Sequence, residues 1–155
     1  MEKVFNSAFE TSLRIMLLLS VCGNGITADR IAEYDLLTVY SRYFGLSDQV
    51  LNGDNDFGFS EYAARRKNIQ GTLKDMVLDG TVKVVRGNDG FRYAITEAGF
   101  NASKRMQSEY AMTYKKLALV TARKYGSKTD SEIMDVINKA SMKSLRREYN
   151  GWILS

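Results

Sequence analysis

Between Phe59 and Gly99 the spacing of apolar positions changes period twice. Tyr62, Ile69, Leu73, Met76 and Val77 fall within about a third of a turn on a helical wheel, which predicts a helix over 61–79 with a core-facing stripe. Ser60 stands where an N-cap would, and Gly80 where a left-handed residue would end that helix. The period then shortens to two. Val82, Val84 and Val85 face Phe91, Tyr93 and Ile95 across Gly87-Asn88-Asp89-Gly90, a strong hairpin signal. Thr96 can cap the helix that follows. Helix, hairpin and capped helix in this order make the second half of a winged-helix domain.

Upstream, Ser7 and Glu10 form a capping box. The helix they open, through about Val21, is apolar nearly all round at Leu13, Ile15, Met16, Leu17, Leu18 and Leu19, and must be covered on most sides. Gly23-Asn24-Gly25 ends it. Thr27 caps a second helix with Asp29 in its first turn and Ile31, Leu36, Val39 and Tyr40 among its apolar positions. From Ser41 to Gly58 the pattern breaks. Roughly eighteen residues stand where a helix-turn-helix uses a turn of about 3–4, among them the acidic run Asn52-Gly53-Asp54-Asn55-Asp56.

Downstream, Glu97 to Tyr125 has no breaker except Gly99 and predicts one long helix of the association type, with Phe100, Met106, Tyr110, Tyr114, Leu117 and Val120 along one side. Gly126 ends it. Thr129 and Glu132 form another capping box, opening a helix with Ile133, Val136, Ile137, Ala140 and Leu145. The stretch Tyr149 to Leu154 is apolar enough to fold back on the core or dock on another chain. The expected fold is mainly α with a small β-hairpin: a winged helix-turn-helix over 1–97 with an insertion at 41–58, then a C-terminal helical extension over 98–155.

Composition narrows the chemistry. The 155 residues contain no histidine, no proline and one cysteine. The commonest general base and zinc ligand are therefore missing, and so is any intramolecular disulfide. Cys22, at the end of a buried helix with no basic neighbour, does not read as a reactive thiol. No apolar run approaches the ~20 residues of a membrane span, and the first helix lacks the basic flank of a signal peptide; the chain reads as intracellular and cytoplasmic. The net charge of +4 hides a gradient of −4 over residues 1–60, +2 over 61–100 and +6 over 101–155. The basic part suits nucleic acid or an acidic protein partner equally.

Candidate sites follow. On helix 61–79 the solvent face carries Lys67, Gln70, Gly71 and Lys74, residues able to read base edges and hold phosphates; Arg86 and Arg92, near the hairpin tip, could reach the flanking backbone. The same residues also make an ordinary solvated face, and Asp75 and Asp79 weigh against DNA. Arg66 falls on the apolar side of the wheel and is expected to make a structural contact. Lys115, Lys116 and Arg123 belong to the strongest basic concentration, which is either a nucleic-acid surface or the charged outside of soluble helices. Asp54, Asn55 and Asp56 lack the spacing and closing glutamate of a calcium loop, so a structured connector is expected rather than a metal site. Gly87 to Gly90 is a turn, not a phosphate loop. No catalytic constellation emerges, and no cofactor is implied.

Two segments carry a family resemblance. Val4-Phe5-Asn6-Ser7-Ala8-Phe9-Glu10 leading into Leu13-Arg14-Ile15, and Leu51-Asn52-Gly53-Asp54-Asn55 leading into Phe59-Ser60-Glu61-Tyr62-Ala63-Ala64-Arg65-Arg66, resemble the middle components of bacterial ABC three-component systems, a group that includes the small subunit of Lamassu-type defence systems. The likeness covers about residues 3–97. It implies a non-enzymatic subunit that accompanies an SMC- or Rad50-like ATPase and an effector, often a nuclease, in defence against phage or plasmids. The partner contacts expected on that basis are Asp54, Asn55 and Asp56, the long helix at Tyr110, Tyr114 and Leu117, and the Trp152-Ile153-Leu154 tail. The alternative is a free-standing DNA-binding regulator.

Overall fold

The computed structural model describes residues 7–48, 51, 61–88 and 90–154. Among these the chain forms six helices and one antiparallel hairpin: α1 (Ala8–Val21), α2 (Ala28–Val39), α3 (Glu61–Asp79), β1 (Val82–Gly87), β2 (Gly90–Ile95), α4 (Glu97–Lys104), α5 (Glu109–Tyr125) and α6 (Asp130–Leu154). Local signals set most of the boundaries. The Ser7 hydroxyl accepts from the Glu10 N–H, Thr27 from Arg30, and Thr96 from Gly99, each satisfying an orphan donor of a first turn. Thr129 and Glu132 cap reciprocally, each backbone N–H donating to the other side chain at 2.8 and 3.1 Å. Gly80 ends α3 at φ +82°, a left-handed conformation that costs glycine little. Ser60, expected as the N-cap of α3, lies outside the described residues.

The core is organised around α2, of which every residue from Ile31 to Val39 is buried. α1 packs against α2, α3, α4, α5 and β2, which explains how Ile15, Leu17, Leu18 and Leu19 can all be hidden. Ile69, Leu73 and Met76 of α3 close the side next to α2, and Val82 extends the same apolar cluster. Tyr114 and Ala118 of α5 and Ile133 and Ile137 of α6 enter that cluster too, so helices beyond residue 97 share the core of those before it.

The hairpin pairs Val82 with Ile95, Val84 with Tyr93 and Arg86 with Phe91. Its inner edge is held by the α1–α2 turn: Ile26 and Tyr93 exchange N–H to C=O hydrogen bonds of 3.1 and 2.8 Å. Gly25, at φ +87°, would set a Cβ 3.1 Å from the Tyr93 carbonyl oxygen and 3.2 Å from the Ala94 Cβ, a close approach in a left-handed conformation that favours glycine.

One expected element is corrected. The helix predicted over 97–125 is two helices, broken at Arg105–Ser108. Arg105 and Met106 tighten the end of α4 by donating to Ala102 and Ser103, and the Ser108 hydroxyl accepts from the Ala111 N–H to start α5. Serine competes for the backbone in this way wherever a turn is free to form. Phe100 and Val120, expected along the apolar side, are exposed.

Gly99 sits in the first turn of α4, where an added Cβ would overlap the Thr81 carbonyl oxygen and the Ile95 side chain. Gly99→Ala is therefore expected to destabilise the fold by about 1–3 kcal/mol, the range for overpacking a close contact, measured as a lowered midpoint in chemical denaturation. An unchanged midpoint would show that the hairpin and α4 are not held at this distance.

Candidate functional site

α2 carries two buried carboxylates, Glu33 and Asp35, on opposite sides. An α-helix advances about 100° per residue, so residues two apart face different neighbours. Asp35 faces α1, α3 and α5. Its Oδ1 accepts from Arg14 Nε at 3.0 Å and from the Tyr114 hydroxyl at 2.7 Å; its Oδ2 accepts from Arg65 at 2.7 Å and from Arg14 at 3.4 Å. Arg65 also donates to Glu61 at 3.0 Å and lies over the Tyr40 ring, 5.5 Å from its centroid. Burial alone would raise the Asp35 pKa, but Arg14 and Arg65 outweigh it and hold the carboxyl below its ordinary value. Tyr114 is pushed well up, by burial first and then by the Asp35 charge, and stays a donor.

Glu33 faces the start of α6. Arg30, the nearest cation, has Nε 3.4 Å from Glu33 Oε1 but 2.8 Å from Asp130, and it donates further to the Lys128 and Tyr125 carbonyls. Committed to the α5–α6 turn, Arg30 leaves Glu33 undercompensated; Oε1 makes no hydrogen bond among the described residues. Burial first, then the Asp130 carboxylate, push the Glu33 pKa up to about 9. Glu33 is thus held protonated, two residues from an Asp held ionised.

Neither carboxylate was marked by the sequence. The available signal was Arg14, a charge inside the run Leu13 to Leu19, which has to be paired if that helix is covered. Arg66, expected on the apolar side, instead makes an exposed ion pair with Asp29, and its neighbour Arg65 takes the interior place. Exposed pairs of this kind contribute little.

The expected site residues separate into inside and outside. Tyr114 and Leu117, expected at a partner contact, are buried in the fold's own packing. Tyr110 is half-buried and stacks on Tyr114 with ring centroids 6.4 Å apart. Lys67, Gln70 and Lys74 are exposed on one face of α3, as is Arg86 on β1. Arg92 turns back from the hairpin tip and donates to the Gly25 carbonyl at 3.5 Å. On α5, Lys116 and Arg123 are exposed and Lys115 half-buried. Asp54, Asn55 and Asp56 lie outside the described residues. The backbone of α6 runs through Trp152, Ile153 and Leu154, whose side chains lie outside them as well.

Two open cavities border these groups. One of about 400 Å³ separates α1 from the α4–α5 link, lined by Leu13, Arg14, Met106 and Tyr110. Another of about 420 Å³ lies between the α1–α2 and α5–α6 turns, lined by Cys22, Arg30, Arg92 and Asp130. Burial pushes the Cys22 thiol up to about 11, away from nucleophilic reactivity. Among the described residues no cluster of three or more acidic, cysteine or histidine side chains is arranged to hold a metal.

The two carboxylates give opposite pH signatures. Asp35→Asn leaves two buried guanidiniums facing an amide and is expected to cost about 3–5 kcal/mol; in the wild type this stability is present above the unfolded aspartate pKa and is lost as pH falls through the depressed folded value. Glu33 has a raised folded pKa, so its stability is complete below the unfolded glutamate value and is lost as pH rises toward about 9. Glu33→Gln is expected to change stability by less than about 1 kcal/mol at pH 5 and to raise it by roughly 4–5 kcal/mol at pH 8, read from denaturation midpoints at both pH values. Equal effects at both would mean that Glu33 is ionised in the fold.

No curated protein matches the chain, and no solved structure does. Residues 4–147 match the family model described as ABC-three component (ABC-3C) system Middle Component 2. With nearly the whole chain inside that match, this protein belongs to the family of ABC-3C system middle components.

Proposed function

We propose that the chain is a non-catalytic accessory subunit that binds an SMC- or Rad50-like ATPase and an effector, a nuclease, within a bacterial complex acting against phage or plasmids, as in Lamassu-type systems. The observation that carries this reading is the family match across residues 4–147, which suggests an accessory component of a multi-component system. ATP hydrolysis and DNA cleavage would belong to the partners. The order α1, α2, α3, hairpin, with Ile26 bridging to Tyr93, supports reading the first hundred residues as a winged helix recruited for protein binding, with the 41–58 stretch as an insertion. The Asp54-Asn55-Asp56 stretch and the Trp152-Ile153-Leu154 end of α6 are proposed contacts.

A second reading rests on the exposed Lys67, Gln70 and Lys74 of α3: a winged-helix regulator that places this face in a major groove, with Arg86, Arg92, Lys115, Lys116 and Arg123 on phosphates. Asp75 and Asp79, exposed on the same helix, oppose it.

Co-expression with the neighbouring genes and purification through a tag on this chain separates the two. Recovery of a large ATPase in fixed ratio is the expected result, undiminished by Lys67→Glu combined with Lys74→Glu. A lone protein that shifts its own promoter fragment, and loses the shift in that double variant, would overturn the accessory-subunit reading.

A further inference from the structure

The backbone of the hairpin leaves one edge open. Tyr93 spends both its N–H and its C=O on Ile26. In an antiparallel ladder a residue bonded outward on both groups cannot also bond its cross-strand partner, so Val84, opposite Tyr93, directs its own N–H and C=O away from β2. The Thr96 N–H donating to the Thr81 carbonyl at 3.1 Å fixes the same phase at the base of the hairpin. Arg86, two residues beyond Val84, points its backbone groups outward as well. Among the described residues nothing hydrogen-bonds to either pair of groups. The strand is accessible here: Lys83, Val84, Val85 and Arg86 are all exposed, Val84 at 46% and Phe91, opposite Arg86, at 59%.

We propose that the outer edge of β1 is a docking site for an extended segment of another polypeptide, added as a further antiparallel or parallel strand and bearing apolar and acidic side chains. Strand addition satisfies the outward N–H and C=O groups of Val84 and Arg86, and it gives their side chains cross-strand neighbours. The character of the occupant follows from the edge itself. Lys83 and Arg86 are its charged residues, with no acidic side chain among the described residues of the hairpin. Val84, Val85 and Phe91 supply apolar partners. Nucleic acid would satisfy the charges but would leave the three apolar side chains in water and the backbone ladder unfilled. A second copy of this chain would set the Lys83 and Arg86 side chains of both strands on one narrow ribbon, where like charges repel. The proposal rests on the accessory-subunit reading only for the source of the segment, a partner subunit; the edge can be tested without any partner.

The test uses the full chain and two short labelled peptides of the same length, one built from valine and glutamate, the other from valine and lysine. Binding is followed by fluorescence anisotropy, and amide exchange is read residue by residue by NMR. The valine–glutamate peptide is expected to bind at least about fivefold more tightly, the scale of two cross-strand charge pairs, and to slow exchange at Val84 and Arg86. Val84→Pro removes an N–H that the hairpin itself does not use and is expected to abolish binding. Should that variant fold poorly, Lys83→Glu with Arg86→Glu must transfer the preference to the valine–lysine peptide. Equal affinity for both peptides, binding to neither, or protection located away from β1 would each overturn the proposal. Concentration-dependent dimerisation that protects the same two amides would overturn it too, assigning the edge to a second copy. Because no ATPase is present, failure here leaves the co-purification result unaffected.

Discussion

The packing of this chain depends on one buried carboxylate. Asp35 gathers Arg14 from α1, Arg65 from α3 and Tyr114 from α5 onto its two oxygens, so four helices meet at one charge. Desolvating such a group is costly unless its lone pairs are filled; here they are filled by one element from each side. The excess positive charge is met by Glu61 at Arg65 and by the face of the Tyr40 ring. A purely apolar contact among the same helices would tolerate sliding and rotation. This one fixes the rotation of α1, α3 and α5 about α2, since each polar atom has one place to go.

Glu33 shows what the same helix does where compensation is incomplete. Its cation, Arg30, is turned toward Asp130 and the carbonyls that end α5, and the carboxyl answers by keeping its proton. The α5–α6 turn is thus clamped to α2 by Arg30, while the carboxyl beneath it contributes neutral packing at most pH values. Arg14, Arg65, Tyr114 and Arg30 are thus all occupied in joining α2 to its neighbours.

What could be read from the sequence was what is decided within a few residues. Ser7, Thr27, Thr96 and the Thr129–Glu132 pair act within one helical turn, and Gly80 and the Gly87–Gly90 turn act on their own backbone, so their roles survive folding unchanged. The break at Ser108 is equally local, but the apolar spacing from Met106 to Leu117 runs across it and masks it. The ionic centre was hidden for a different reason. Its members are 21, 30 and 79 residues apart, and on a wheel Arg65 and Arg66 differ by only about 100°, less than the uncertainty in where α2 lies. The wheel chose Arg66; the position of Asp35 chose Arg65. Tyr114 likewise reads as an association residue on an isolated helix and becomes interior once Asp35 supplies a partner for its hydroxyl.

The surfaces left outside this centre are not equivalent. An exposed helix face such as Lys67 to Lys74 has already satisfied its backbone, so only side chains are on offer and water competes well for them. A strand edge differs, because its main-chain groups remain unspent whatever the side chains are. Proteins commonly blunt such edges with charge, proline or cover. In β1 the charges are Lys83 and Arg86, proline is absent, and two exposed valines lie between them. Positive charge of this density discourages pairing between identical copies while leaving the edge open to a strand of opposite charge. That combination blocks self-association without closing the edge, and it makes β1 the place where a partner would gain most from an extended conformation.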